Sequence, residues 1–156
     1  MSVMAKVPKK KLSKGDTRVL IAKDVIKQLK RKKIIVERGT YCFNPIFCNL
    51  KEMEELSELK KVLAKSKDKC YVCALGALFV SAVNRFNKYQ ITTDWAGIGK
   101  YETTNYLCKY FSDSQMGLIE DVFEFRCPVY MNSENHMINI MKNIIKNKGT
   151  FKPETE

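Results

Sequence analysis

Cys70-Tyr71-Val72-Cys73-Ala74-Leu75-Gly76-Ala77-Leu78-Phe79-Val80-Ser81-Ala82-Val83 is the most apolar run of the chain. How it is read decides the fold. A helix made from it has no wet face, so it belongs at the buried centre of a small helical domain. At 14 residues it falls short of the roughly 20 needed to span a bilayer. Asp68 is placed to cap such a helix, which is expected to continue to Arg85 or Lys88. Small residues at Ala74, Gly76, Ala77, Ser81 and Ala82 admit close neighbours, while Leu75, Leu78, Phe79, Val83 and Phe86 supply bulk. Gly76 in mid-helix costs about 1 kcal/mol relative to Ala, a cost that a close helix crossing there would offset.

On either side, apolar residues recur at helical spacing. Val19, Ala22, Val25, Ile26 and Leu29 share one face of a first helix that Asp16 can cap and that runs to about Lys32. Ile34-Ile35-Val36 is β-branched and short, which predicts an extended segment. Asn49 and Glu52 have capping-box spacing ahead of Met53, Leu56, Leu59 and Leu63. Thr103 or Thr104 can cap a short helix carrying Tyr106, Leu107, Tyr110 and Phe111. Ser112 and Gln115 open another with Met116, Ile119, Val122 and Phe123. The last begins near Asn132 or Ser133, buries Met137, Ile140, Met141, Ile144 and Ile145, and closes at Gly149, with Phe151 packing back. The expected architecture is therefore all-α: a single-domain bundle of five or six helices around a buried central helix, with at most one short strand or hairpin. Its boundaries are a mobile basic arm over 1–13, the helical domain over 14–151 and a frayed tail over 152–156.

The chain has 156 residues and a net charge of +11. Residues 1–33 hold twelve Lys and Arg against Asp16 and Asp24, so nearly all the excess charge lies in the arm and first helix. Such a segment suits phosphate, an anionic surface or an acidic partner. Lys9, Lys10, Lys11, Lys27, Lys30, Arg31 and Lys32 are the candidate nucleic-acid contacts. No apolar leader or cleavage site follows the first lysines, and a cytoplasmic setting with reduced thiols is expected.

Cys70 and Cys73 have the C-x-x-C spacing of a zinc or redox pair. Cys42, Cys48, Cys108 and Cys127 supply no second pair at that spacing, and three residues apart on a helix both sulfurs face the core, so packing is the preferred account. No cofactor is expected. Ala96-Gly97-Ile98-Gly99-Lys100 fails as a phosphate loop, because Asp94 stands at the first Gly position and Tyr101 at the Ser/Thr position; a turn with structural glycines is expected. His136 has no activating neighbour in sequence and reads as a surface residue. Glu120, Asp121 and Glu124 read as a solvated face. Trp95, Thr93, Asp94, Tyr101 and Tyr106 combine broad rings with polar tips near the end of the central helix, and form the candidate partner-binding site.

Cys73-Ala74-Leu75-Gly76-Ala77-Leu78, then Phe111-Ser112-Asp113-Ser114-Gln115 leading to Ile119-Glu120 and Phe123-Glu124, then Ile140-Met141-Lys142-Asn143-Ile144-Ile145 with Asn147-Lys148-Gly149-Thr150-Phe151, together resemble small uncharacterised proteins encoded by bacteriophages and related mobile elements. The likeness covers roughly the last 90 residues. It implies a cytoplasmic setting during infection and no known activity.

These readings point away from an enzyme and toward a non-enzymatic macromolecule-binding or regulatory protein, with a protein or nucleic-acid partner, no membrane, and room for an oligomer. The alternative is nucleic-acid binding through the basic arm and first helix. The second alternative is a small-ligand or enzymatic pocket near Trp95.

Overall fold

The computed structural model describes residues 12–39, 42–43, 70–86, 97–98 and 100–153. The helix expected over 49–63, the lysines of the arm, and Thr93, Asp94 and Trp95 lie outside the described residues. Within them are five helices: α1 (Lys14–Lys30), α2 (Ala74–Phe86), α3 (Lys100–Leu107), α4 (Asp113–Phe125) and α5 (Ser133–Lys146). Four short strands, β1 (Ile34–Val36), β2 (Cys42–Phe43), β3 (Cys70–Val72) and β4 (Gly97–Ile98), form one sheet in the order β1-β3-β2-β4. The bulk of the fold is helical, as the apolar periodicity predicts.

The opening run divides between strand and helix. Its first three residues pair parallel with β1, Ile34 opposite Cys70 and Val36 opposite Val72, and antiparallel with β2. An apolar run alone does not distinguish a buried strand from a buried helix. Here the β-branched segment 34–36 supplies the pairing partner that makes Tyr71 and Val72 extended. Cys73, not Asp68, then starts the helix: its carbonyl accepts from Ala77 N–H at 2.8 Å and its Sγ from Gly76 N–H at 3.5 Å. From there the expected burial holds, with Ala74 through Phe79, Ser81, Ala82 and Val83 all buried. Helices α1, α3 and α4 pack around α2, and α5 closes the bundle against α1 and α4.

Helix α1 is capped by Ser13 rather than Asp16. Ser13 Oγ accepts from Asp16 N–H at 3.0 Å while the Asp16 carboxylate accepts from Ser13 N–H at 3.4 Å, a reciprocal capping box. Its far end closes with Lys32 in the left-handed region at φ 59°, Lys33 N–H reaching Gln28 O and Lys32 N–H reaching Leu29 O. Helix α5 ends the same way: Lys148, at φ 55°, occupies the left-handed position expected of Gly149, and Gly149 N–H reaches Ile144 O at 2.8 Å. Helix α3 starts at Lys100, one turn before either threonine. Thr103 is buried within it, and Thr104 Oγ1 donates back to Lys100 O at 2.9 Å.

Helices α1 and α5 run antiparallel. At one end Lys32 meets Glu134 at 3.4 Å. At the other, glycines touch: a Cβ on Gly149 would lie 2.6 Å from Gly15 O, and one on Gly15 would lie 2.7 Å from Lys148 O. Arg18 locks the same corner, donating from Nε to Gly149 O at 2.6 Å and from a terminal nitrogen to Tyr110 O at 3.0 Å. Phe151 is buried as expected, and its backbone is held in both directions by the Gln115 amide at 2.7 and 3.0 Å. Asn143 does the same for Lys152 at 2.8 Å.

Candidate functional site

The basic end of α1 is the part of the predicted contact set that the structure presents to solvent. Ile21, Ala22, Val25 and Leu29 are buried and Ile26 packs partly against them, whereas Val19 of the expected face is only half-buried; Lys23, Lys27 and Lys30, at spacings of four and three, are all exposed. Arg31, Lys32 and Lys33 follow at the helix end, where their charge also opposes the negative pole of the helix dipole. Arg18 does not belong to this face, since both its bonds go to backbone carbonyls inside the bundle.

Beside Lys30 the surface is concave. A groove of about 480 Å³ is lined by Lys30 of α1, Tyr130 and Met131 of the connection between α4 and α5, and Asn135, Ile138, Asn139 and Lys142 of α5. Burial of Met137, Ile140, Met141 and Ile144 turns Asn135, Asn139, Lys142 and Lys146 outward at spacings of four, three and four. Pro128 and the Asn132 cap shape the connection. Asn132 Oδ1 accepts from Asn135 N–H at 2.7 Å, which starts α5 abruptly and leaves Tyr130 no helical face on which to pack. Its side chain stands 87% exposed, next to Val129 at 105% and near Phe125 at 81%. Below it, Met131 is held on two sides: its carbonyl accepts from Cys127 Sγ at 3.3 Å and its sulfur from Asn139 Nδ2 at 3.4 Å.

The electrostatics of the groove have one sign. Two lysines and no carboxylate line it, and neither Lys30 nor Lys142 is ion-paired among the described residues. Glu134, next to Asn135 in the chain, turns its carboxylate to Lys32. The site can therefore hold an anion beside a flat ring, with amides for directed hydrogen bonds.

The other candidates fall differently. Tyr101 is 76% exposed at the start of α3, whereas Tyr106 is in the core at 3% exposure, edge-on to Phe79 at 5.3 Å and to Tyr110 at 6.0 Å. Its ring is not offered to a partner. Cys73 is buried, and burial pushes its thiol up to about 11, so the sulfur is neutral and packed in the core. Among the described residues no group of three His, Cys, Asp or Glu side chains is placed to hold a metal ion. His136 is buried, contrary to the surface reading, because it lies on the inner side of α5's first turn; its ring stacks on Phe123 and its Nε2 donates to Val122 O at 3.0 Å. Gly97-Ile98 is a strand and not the expected turn, and Lys100 reaches Glu120 at 3.7 Å. Asp121 pairs with Arg126 at 3.1 Å, and Glu124 accepts from Gly39 N–H at 3.0 Å, so the acidic residues of α4 serve local contacts.

Tyr130, Asn135, Asn139 and Lys142 were not legible as a site. The available signal was the Val129-Tyr130 pair, two large side chains in a Pro-containing connection with no periodic pattern to bury them. Comparison of the chain with protein-family models, curated proteins and solved structures finds no match. Among the described residues, no helix is long and apolar enough to cross a membrane.

Proposed function

We propose that this chain is a non-enzymatic nucleic-acid-binding protein whose contact face is the exposed side of α1, its cationic end and the groove beside α5. The observation that carries this reading is the groove itself, where lysines from two helices meet an exposed tyrosine and two amides with no carboxylate between them. Cations position a phosphate backbone, and rings and amides address bases. The lysines of the arm, Lys9, Lys10 and Lys11, add charge to the same segment of sequence, and a phage-encoded regulator acting on nucleic acid is the biological setting this reading favours.

Fluorescence anisotropy with a labelled oligonucleotide tests it. Each phosphate contact adds about 0.7–0.9 to the slope of log affinity against log salt, so engagement of several lysines costs at least tenfold between about 50 and 200 mM NaCl. Lys27→Gln, Lys30→Gln and Arg31→Gln together should reduce both affinity and slope. Absent or salt-independent binding at about 50 mM NaCl overturns the proposal. A protein partner is the second reading, favoured by the exposure of the large apolar side chains Phe125 and Val129. The alternative of a small-ligand pocket near Trp95 lies outside the described residues.

A further inference from the structure

Resting on that reading, we infer that the groove takes single-stranded nucleic acid, with one unstacked base laid on the Tyr130 ring and the flanking phosphates on Lys30 and Lys142. Three features of the groove point to a single strand over a duplex. The first is shape. A duplex is convex and keeps its bases inside the stack, so it is read by a projecting helix or ribbon entering a groove of the nucleic acid. Here the protein supplies the concavity, an open groove of about 480 Å³ between α1, α5 and the Tyr130 connection, within the size range of ligand clefts.

The second is the ring. Tyr130 is 87% exposed, in a connection whose neighbour Met131 is fixed by bonds from Cys127 and Asn139. An exposed aromatic ring at the lip of a cationic groove is a stacking platform, and stacking accepts any base because every base has a π-face. The third is the placement of charge and amides. Lys30 approaches from α1 and Lys142 from α5, on separate helices that both line the groove. Asn135 caps α5 through its backbone N–H and its side-chain amide has no bond to the described residues, so it is available to a base edge, while Asn139 gives one Nδ2 hydrogen to Met131 and keeps its other hydrogen and its carbonyl oxygen. Charge alone would suit a duplex as well. The ring and the amides have work only when a base is out of its stack.

The test uses the full chain, one sequence of about 12 nucleotides as single-stranded DNA, single-stranded RNA and duplex DNA, and the single strand with abasic residues at its centre. The variants are Tyr130→Ala, Tyr130→Phe and Lys142→Gln, each checked by circular dichroism; Tyr130 is exposed, so its loss should leave the fold intact. The expected result is tighter binding of single strand than duplex, about 5- to 150-fold loss with Tyr130→Ala, little loss with Tyr130→Phe, and no further effect of Tyr130→Ala on the abasic strand. Lys142→Gln should lower the salt slope by about one contact. Equal binding of single strand and duplex, or Tyr130→Ala without effect on the single strand, overturns this inference while leaving nucleic-acid binding in place. Binding of none of the probes at low salt removes both.

Discussion

Cys73 closes the strand β3 and opens α2, and its sulfur takes the position that an oxygen holds in an ordinary cap, accepting from Gly76 N–H. Removal from water is the main cause that drives its thiol from 9.0 up to about 11. In the unfolded chain the thiol ionises first as pH rises, so the unfolded state binds fewer protons than the native state between those values. The stabilisation is complete below about pH 9 and is lost as pH climbs toward about 11, amounting to about 2–3 kcal/mol. Thermal unfolding across that range should show a fall in Tm that is reduced in Cys73→Ala; equal slopes would contradict the assignment. Exposed Cys108 should alkylate rapidly at mildly alkaline pH while Cys73 stays protected, as peptide mass mapping would show. The C-x-x-C spacing was visible in the sequence, but the strand that carries Cys70 and the helix that begins after Cys73 were not, and only that break explains why the two residues do not act as a helical pair. His136 is a different case: its spacing of four from Ile140 and Ile144 puts it on the inner face of α5, while its Phe123 and Val122 partners come from another helix and are not visible in that spacing.

Helices were legible wherever one apolar face met one core. Met116, Ile119, Val122 and Phe123 of α4, and Met137, Ile140, Met141 and Ile144 of α5, are all buried as their spacing requires. Helix ends were less so, because a cap depends on which hydroxyl or amide the preceding chain delivers. Lys32 and Lys148 illustrate this, each holding a left-handed position that a glycine would occupy without Cβ strain. Lys32→Gly should therefore raise stability by about 0.5–1 kcal/mol, since the exposed pair with Glu134 that it removes is worth less than the relieved strain. The glycines at the α1–α5 corner behave in the opposite sense. Gly15→Ala would gain about 1 kcal/mol from propensity alone, yet the added methyl meets a backbone oxygen that cannot swing away, so a net loss of about 1–3 kcal/mol is expected in urea titrations. Gly149→Ala, with φ at 103° as well as the contact, should cost more than about 2 kcal/mol. A gain from either would show that the helices separate easily there.

At the scale of the molecule, the groove could not be seen in the sequence because it is assembled from three places, Lys30, the pair Tyr130 and Met131, and the outer face of α5. What the sequence did show was the charge asymmetry to which Lys30, one of its lining residues, belongs. The packing that brings these parts together hangs on Arg18, whose fork joins α1 to the turn after α3 and to the end of α5. Arg18→Ala should cost about 2–3 kcal/mol by leaving two inward carbonyls short of a charged donor, and Arg18→Lys should recover only part of that because an ammonium lacks the planar fork. Denaturation midpoints of the pair would decide it, with full recovery by Lys counting against the geometry.

Arg18 and Gly149 are 131 residues apart in the chain. At synthesis rates of about 5–20 residues per second, α1 leaves the ribosome on the order of ten seconds before the helix that covers it exists. During that interval its apolar side is open while its lysines are already in place, and no intermediate containing only the first half of the chain can possess the groove. Under the proposed reading, a ligand of the groove would meet it only after the last helix has docked, so its capture would report on finished molecules alone.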